Sequence, residues 1–214
     1  MSDPIISTKA LTREYVRDQF KVTALHNAGL DVHKLPNEAE ARDSYRRQAE
    51  ALAEGGVDLI ILEMMLDPII TPIAIAAAVE TGLPAWAGFS ARVAEDGRVL
   101  GFHRYADDAF DDVLDSGLAF PLQAAGIMHT NMEFMMPALK ALKAKWDGPM
   151  FAYPHSGEFK MPHWQFDTVM KPEPFCGEAL RYMDLGVQAI GGCCGIGPDH
   201  IVKLKSGLPE HMPR

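Results

Sequence analysis

Cysteine is scarce in this chain: there are three among 214 residues, two of them adjacent. An odd set of this kind does not make the disulfide framework of a small secreted domain. Long apolar runs are missing as well. The most apolar window, residues 66–79, is interrupted by Asp67, Pro68 and Pro72, so no stretch reaches the length of a membrane span. Positive charge is in deficit, with 20 Lys and Arg against 29 Asp and Glu, a net charge of -9 and no basic stripe, which disfavours nucleic-acid binding. Met1-Ser2-Asp3-Pro4 lacks the charged-then-apolar pattern of a signal peptide. There is no low-complexity tract and no repeat beyond a strand–helix period. The expectation is a soluble cytoplasmic protein with neither nucleic acid nor membrane as partner. At 48% hydrophobic, the chain can build one sizeable core, and a single domain is the default.

What is present is alternation. Asn37 followed by Glu40 reads as a helix start, and Tyr45, Ala49, Leu52 and Ala53 recur at helical spacing until Gly55-Gly56. The apolar run 57–62 then reads as a buried strand ending on Glu63. The unit recurs: helix 71–81 and strand 84–89 ending on Ser90; helix 107–115 and a weak strand 125–128 ending on His129; helix 133–145 and strand 150–153 before Pro154-His155-Ser156-Gly157; helix 175–185, strand 187–190, and a last helix from Pro198. A polar stretch with the turn Glu95-Asp96-Gly97 interrupts the series. Residues 1–36 stand apart. Leu11, Tyr15, Phe20 and Ala24 are compatible with one helix stopped at Gly29, and no strand is evident there.

Strand–helix alternation implies a parallel sheet. Glu63, Ser90, His129, His155 and Cys193-Cys194 all fall at or just after the C-terminal ends of successive strands. In a (β/α) barrel those ends share one mouth, where active sites lie. A flavodoxin-like open sheet also binds ligands at strand ends, but it would use only some of the strands, and no Gly-rich phosphate loop follows the first one.

The last strand runs into Gly191-Gly192-Cys193-Cys194-Gly195. Adjacent cysteines do not readily bond to each other, since their side chains diverge, but both can grip one soft metal ion where flanking glycines leave the backbone free to bend. Read alone, the pair is either a thiolate–metal site or two small packed residues.

Several segments taken together resemble the homocysteine S-methyltransferase family: residues 56–63, Phe89-Ser90, Tyr153-Pro154-His155-Ser156-Gly157-Glu158, and Gly191-Gly192-Cys193-Cys194-Gly195 with Pro198 and His200-Ile201. The resemblance spans roughly residues 38–205 and implies a (β/α)8 TIM-barrel fold. It also implies a zinc ion held by three cysteines, one at the end of the sixth strand and a pair after the eighth. Zinc would hold the thiol acceptor as thiolate for attack on a small-molecule methyl donor. A free thiol, with a pKa of about 8.5, supplies little thiolate at neutral pH. Carried onto this sequence, Cys193 and Cys194 are the paired ligands, Glu63 holds the amino group of homocysteine, and Ser90 and His155 shape the pocket.

The chain departs from the family pattern in two respects. His129 stands where the third cysteine belongs, so a Cys2His site is expected, with a charge of about 0 in place of about -1. His129 remains open to a second reading as a histidine without metal, and His155 as a rival nitrogen ligand. The lesser reading of Glu63 is as a cap on the following helix turn, Cys176 reads as a packing cysteine, and His200 has no assigned role. The second departure is length. Residues 37–214 supply about five strands, so about three βα units, at roughly 30 residues each, are expected to be lacking. An open barrel has unpaired edges, which points to self-association or a completing partner chain. The alternative to an enzyme is a truncated, inactive relative that binds metal or a partner.

Overall fold

In this computed structural model the structure describes residues 15–17, 20–25, 37–102, 107–160 and 163–208, without the side chains of residues 15–25 and 158–164. In chain order the elements are β1 (Tyr15–Arg17), β2 (Phe20–Leu25), α1 (Glu38–Glu54), β3 (Leu59–Met65), α2 (Ile70–Glu80), β4 (Ala85–Phe89), β5 (Ala91–Val93), β6 (Val99–Gly101), α3 (Phe110–Leu118), β7 (Ala124–Asn131) and α4 (Met132–Lys143). They continue with β8 (Met150–His155), β9 (Glu158–Lys160), β10 (His163–Gln165), α5 (Pro172–Asp184), β11 (Val187–Ile190) and α6 (Pro198–Gly207).

The expected alternation is present, and its local signals act as read. The Asn37 side chain accepts a hydrogen bond from the Glu40 N–H at 3.0 Å, capping α1. Gly56, at φ 77, turns the chain out of that helix into β3, a conformation that costs a glycine little. Pro172 and Pro198 open α5 and α6, where a missing N–H breaks no helical bond.

The seven-stranded sheet has the order β1-β2-β3-β4-β7-β8-β11. From β2 onward all neighbours are parallel and follow chain order. This progressive winding is that of a (β/α) barrel; a doubly wound sheet reverses at a switch point. Ile60, Leu62, Ala85, Ala87, Ala125, Ile127, Met150 and Ala152 alternate onto one face, where they form a single core with the apolar sides of α1 to α4. The opposite face carries Ile61, Glu63, Trp86, Phe151 and Tyr153. Phe151 stacks between Trp86 and Tyr153, with ring centroids at 5.6 and 5.4 Å. A smaller cluster of Phe175, Cys176, Ala179 and Leu204 joins α5 to α6, with Cys176 a buried packing residue.

One expectation is corrected. The N-terminal helix is not formed: residues 15–17 and 20–25 are strands, antiparallel to each other, and β2 pairs in parallel with β3. Leu11 and Gly29, which entered the helical reading, lie outside the described residues. The run Phe20-Lys21-Val22-Thr23-Ala24-Leu25 has apolar residues at every second position and β-branched Val22 and Thr23, a period-two pattern, and the edge of β3 offers its backbone a partner. The N-terminal segment thereby adds a sixth parallel strand to the five expected. The polar stretch around Gly97 is a hairpin, β5–β6, and a second hairpin, β9–β10, follows β8. Among the described residues, no helix is long and apolar enough to cross a membrane.

Candidate metal centre

The ends of β3, β4, β7, β8 and β11 converge, and two of them are bulged. Register shifts between Leu62 and Met65 on β3 and between Met128 and Asn131 on β7 insert extra residues beside Glu63 and at His129. Met64 and His129 take positive φ values of 59° and 45°, the two non-glycine residues among the described residues to do so. A bulge re-aims the side chains around it, and strained backbone of this kind clusters at functional sites.

The bulge at His129 brings its imidazole to the double cysteine. Nδ1 lies 3.4 Å from Cys193 Sγ, and the two sulfurs lie 3.8 Å apart. The ligand atoms of His129, Cys193 and Cys194 are all within 4.8 Å of one another, the one such group of His, Cys, Asp or Glu among the described residues; His155 is not part of it. Ligands at tetrahedral angles around zinc sit about 3.8 Å apart for two sulfurs and about 3.6 Å for nitrogen and sulfur, from bond lengths near 2.3 and 2.0–2.1 Å. The donor set fits such an ion in chemistry, and its separations of 3.4 and 3.8 Å fit it in spacing.

The cysteine loop is pinned by backbone hydrogen bonds. The N–H of Gly191 donates to Ala152 O at 2.9 Å, that of Cys193 to Pro154 O at 2.8 Å, and that of Ser156 to Cys194 O at 2.9 Å. Gly195, at φ 80, has no room for a methyl group: an added Cβ would lie 2.9 Å from the carbonyl carbon of Ser156 and closer still to its oxygen. The glycines therefore do more than supply freedom; Gly195 lets two backbone segments touch.

One of the two thiol protons is easily lost, and the sulfurs share the other. The Cys193 thiol hydrogen-bonds to Cys194, His129 adds a second favourable contact, and together they pull Cys194 down to about 4. The same Cys194 contact, followed by burial, pushes Cys193 up. At neutral pH such a pair has already released one proton and holds the second until a cation displaces it.

Around the sulfurs stand the other strand ends. Glu63 Oε1 accepts from the Tyr153 hydroxyl at 3.3 Å. Burial, then the Glu63 charge, raise the Tyr153 phenol, which stays a donor. Gly88 makes this reach possible, because a side chain there would meet Met128 Cγ at 2.7 Å and the Tyr153 hydroxyl at 3.2 Å. His155 is 3% exposed, and its ring centroid is 4.8 Å from that of His129. Burial, then His129, push it down to about 4, so it is neutral at pH 7. Phe102 meets both imidazoles edge-on, at 5.1 and 5.9 Å. Ser90 is fully buried, its Oγ donating to Met128 O at 2.9 Å; it braces the strand that carries His129 and does not present its hydroxyl to a cavity. Sequence reasoning missed Tyr153 and Phe102. Tyr153 sits inside a motif it had singled out, whereas Phe102 follows the unforeseen hairpin and carries no local signal.

A cluster of one imidazole and two thiols at the strand ends of a barrel-type sheet is a donor set able to hold a soft metal ion. The family model described as homocysteine S-methyltransferase matches residues 15–208, and the chain belongs to that family. It is 26% identical to homocysteine S-methyltransferase 2 of Arabidopsis thaliana over 201 residues, 91% of this chain and 56% of the relative. It is 27% identical to a selenocysteine Se-methyltransferase of Brassica oleracea var. italica over 174 residues, 78% of this chain and 48% of that one. In fold it is similar to the metallated form of the homocysteine methyltransferase MmuM from Escherichia coli, with TM-score 0.62 and 22% identity over 81% of this chain and 53% of that one. The chain thus spans about half the length of the curated relatives it matches.

Proposed function

We propose that this chain transfers a methyl group to the thiol of homocysteine, or of a related thiol or selenol, at a zinc site made by Cys193, Cys194 and His129. The observation that carries the reading is the convergence of these three donors within 4.8 Å in a member of this family. When bound, zinc supplies an acceptor sulfur held as thiolate at neutral pH, with a fourth tetrahedral position open to it. The chain's own residues do the rest. Glu63, oriented by the Tyr153 hydroxyl, binds the ammonium group of the acceptor amino acid. His155, buried and neutral, adds no positive charge beside the sulfurs, and with Phe102 it keeps water from the imidazole of His129. Ser90 shapes the pocket by fixing the end of β7. The methyl donor is a small molecule that enters from the mouth formed by the strand ends.

Metal analysis of purified protein should find about one zinc per chain, as a single open site implies. That zinc should be lost in Cys193→Ser and reduced in His129→Ala, but retained in His155→Ala. Metal-free protein that methylates homocysteine at the full rate would sink the proposal. A second reading, a family member that holds metal or a partner without turnover, draws on β11, which pairs with β8 alone among the described residues. A second copy or a completing chain could add to that edge. Methyl-transfer assays with several donors decide between the two: zinc uptake with no turnover supports the second.

A further inference from the structure

His200 lies outside the group of candidate metal donors, yet it closes a ring of hydrogen bonds that runs through one of them, Cys194. Its Nδ1 accepts from the Gly197 N–H at 3.1 Å, the backward half of a capping box at the start of α6. An imidazole nitrogen that accepts has no proton, so the neutral ring carries its proton on Nε2. Nε2 donates to Met170 O at 2.6 Å. The Met170 N–H donates to Ser156 Oγ at 2.8 Å, and the Ser156 N–H donates to Cys194 O at 2.9 Å. From Cys194 the backbone runs through Gly195 and Ile196 to Gly197, which completes the ring. His200 is 8% exposed and meets Phe175 edge-on at 5.5 Å, so its ring is held in place.

We infer that His200 is a positioning residue for the metal loop, fixing Cys194 through Met170 and Ser156. The inference rests on the metal reading above. The ring has little slack, because Gly195 already touches the Ser156 backbone. Releasing Met170 frees Ser156 Oγ, and Ser156 in turn sets where the Cys194 carbonyl, and hence its sulfur, can lie. Outer partners of this kind orient ligands, and their loss costs metal affinity.

Cobalt(II) is the probe, since its thiolate charge-transfer absorption reports both uptake and ligand geometry. His200→Glu separates the two bonds: the carboxylate still caps the Gly197 N–H but has no proton for Met170 O. Its cobalt affinity should fall about 10- to 100-fold, with an altered charge-transfer band. His200→Gln keeps an acceptor and a donor and should bind close to wild type. His200→Glu protein that binds cobalt as wild type does overturns the positioning role. Wild-type protein that takes up no cobalt overturns the metal reading itself. Amide exchange in the metal-free protein tells the two failures apart. The Met170 and Ser156 amides should exchange faster in His200→Glu while those of Phe151 and Ala152 stay protected, and equal protection throughout overturns the ring.

Discussion

Gly195→Ala tests whether the cysteine loop is held by contact or merely made flexible by its glycines. The backbone there is left-handed, at φ 80, which costs an L-residue about 1–2 kcal/mol. The new methyl would also strike the carbonyl of Ser156, a backbone group that cannot rotate away, so the loop has to retreat by about 1 Å. That retreat breaks the bond from the Ser156 N–H to Cys194 O, a further loss of about 1 kcal/mol. The expected total is about 2–3 kcal/mol, a large share of the roughly 5–15 kcal/mol that keeps a domain folded. Urea unfolding of the metal-free protein reads this as a lower midpoint with unchanged slope. Zinc competition against a chromogenic chelator should show weaker binding than wild type, because Cys194 moves with the loop. Gly177→Ala is the control. It lies inside α5 with no atom within 4 Å of the added methyl, and should stabilise by about 0.5–1 kcal/mol. A Gly195→Ala protein with wild-type midpoint and wild-type zinc affinity refutes the contact argument.

Tyr153→Phe removes one hydrogen bond to Glu63 and should raise the KM for the acceptor about fivefold, equivalent to about 1 kcal/mol, with zinc content unchanged; a KM equal to wild type removes Tyr153 from the site. For His155 the predicted effect is on pH dependence. Unfolded, it takes a proton near 6.5, whereas burial and then His129 delay protonation in the fold to about 4. The unfolded state therefore gains protons first. The contribution of His155 to stability is complete above pH 6.5 and is lost as pH falls from there through about 4. Metal-free His155→Asn should lose less stability than wild type between pH 7 and pH 5 in urea titrations, and an identical pH slope refutes the assignment.

The barrel-type series from residue 37 onward was legible because each unit carries several agreeing signals. Around β3 these are an N-cap at Asn37, a helical stripe, a glycine stop and an unbroken apolar run. Where signals are few, reading failed. The spacing of Tyr15, Phe20 and Ala24 fits a helix as well as it fits chance, the period-two run of residues 20–25 is short, and the free edge of β3 decides for strands. The hairpins β5–β6 and β9–β10 have strands of three residues, too short for any period to emerge. The candidate metal donors were legible by type and by position at strand ends. Whether His129 or His155 joins the cysteines was not, since both stand at strand ends and both are chemically competent.

What decides between them is backbone geometry that no local pattern encodes. A strand with regular alternation through residue 131 would keep one unbroken register with β8; the bulge breaks it and re-aims the side chain of His129. The left-handed conformation this demands of a non-glycine residue persists only if its surroundings hold it. The holding contacts converge on the residue just before it. Met128 is 1% exposed, its carbonyl accepts from Ser90 Oγ at 2.9 Å and from Thr130 Oγ1 at 2.9 Å, and its sulfur lies 3.2 Å from the Met64 N–H at the other bulge. One buried methionine thus couples the distorted end of β3, which carries Glu63, to that of β7, which carries His129. As one of 12 methionines in an apolar stretch it gives no sign of this in the sequence, because its role lies in three strand ends meeting and not in any of them alone.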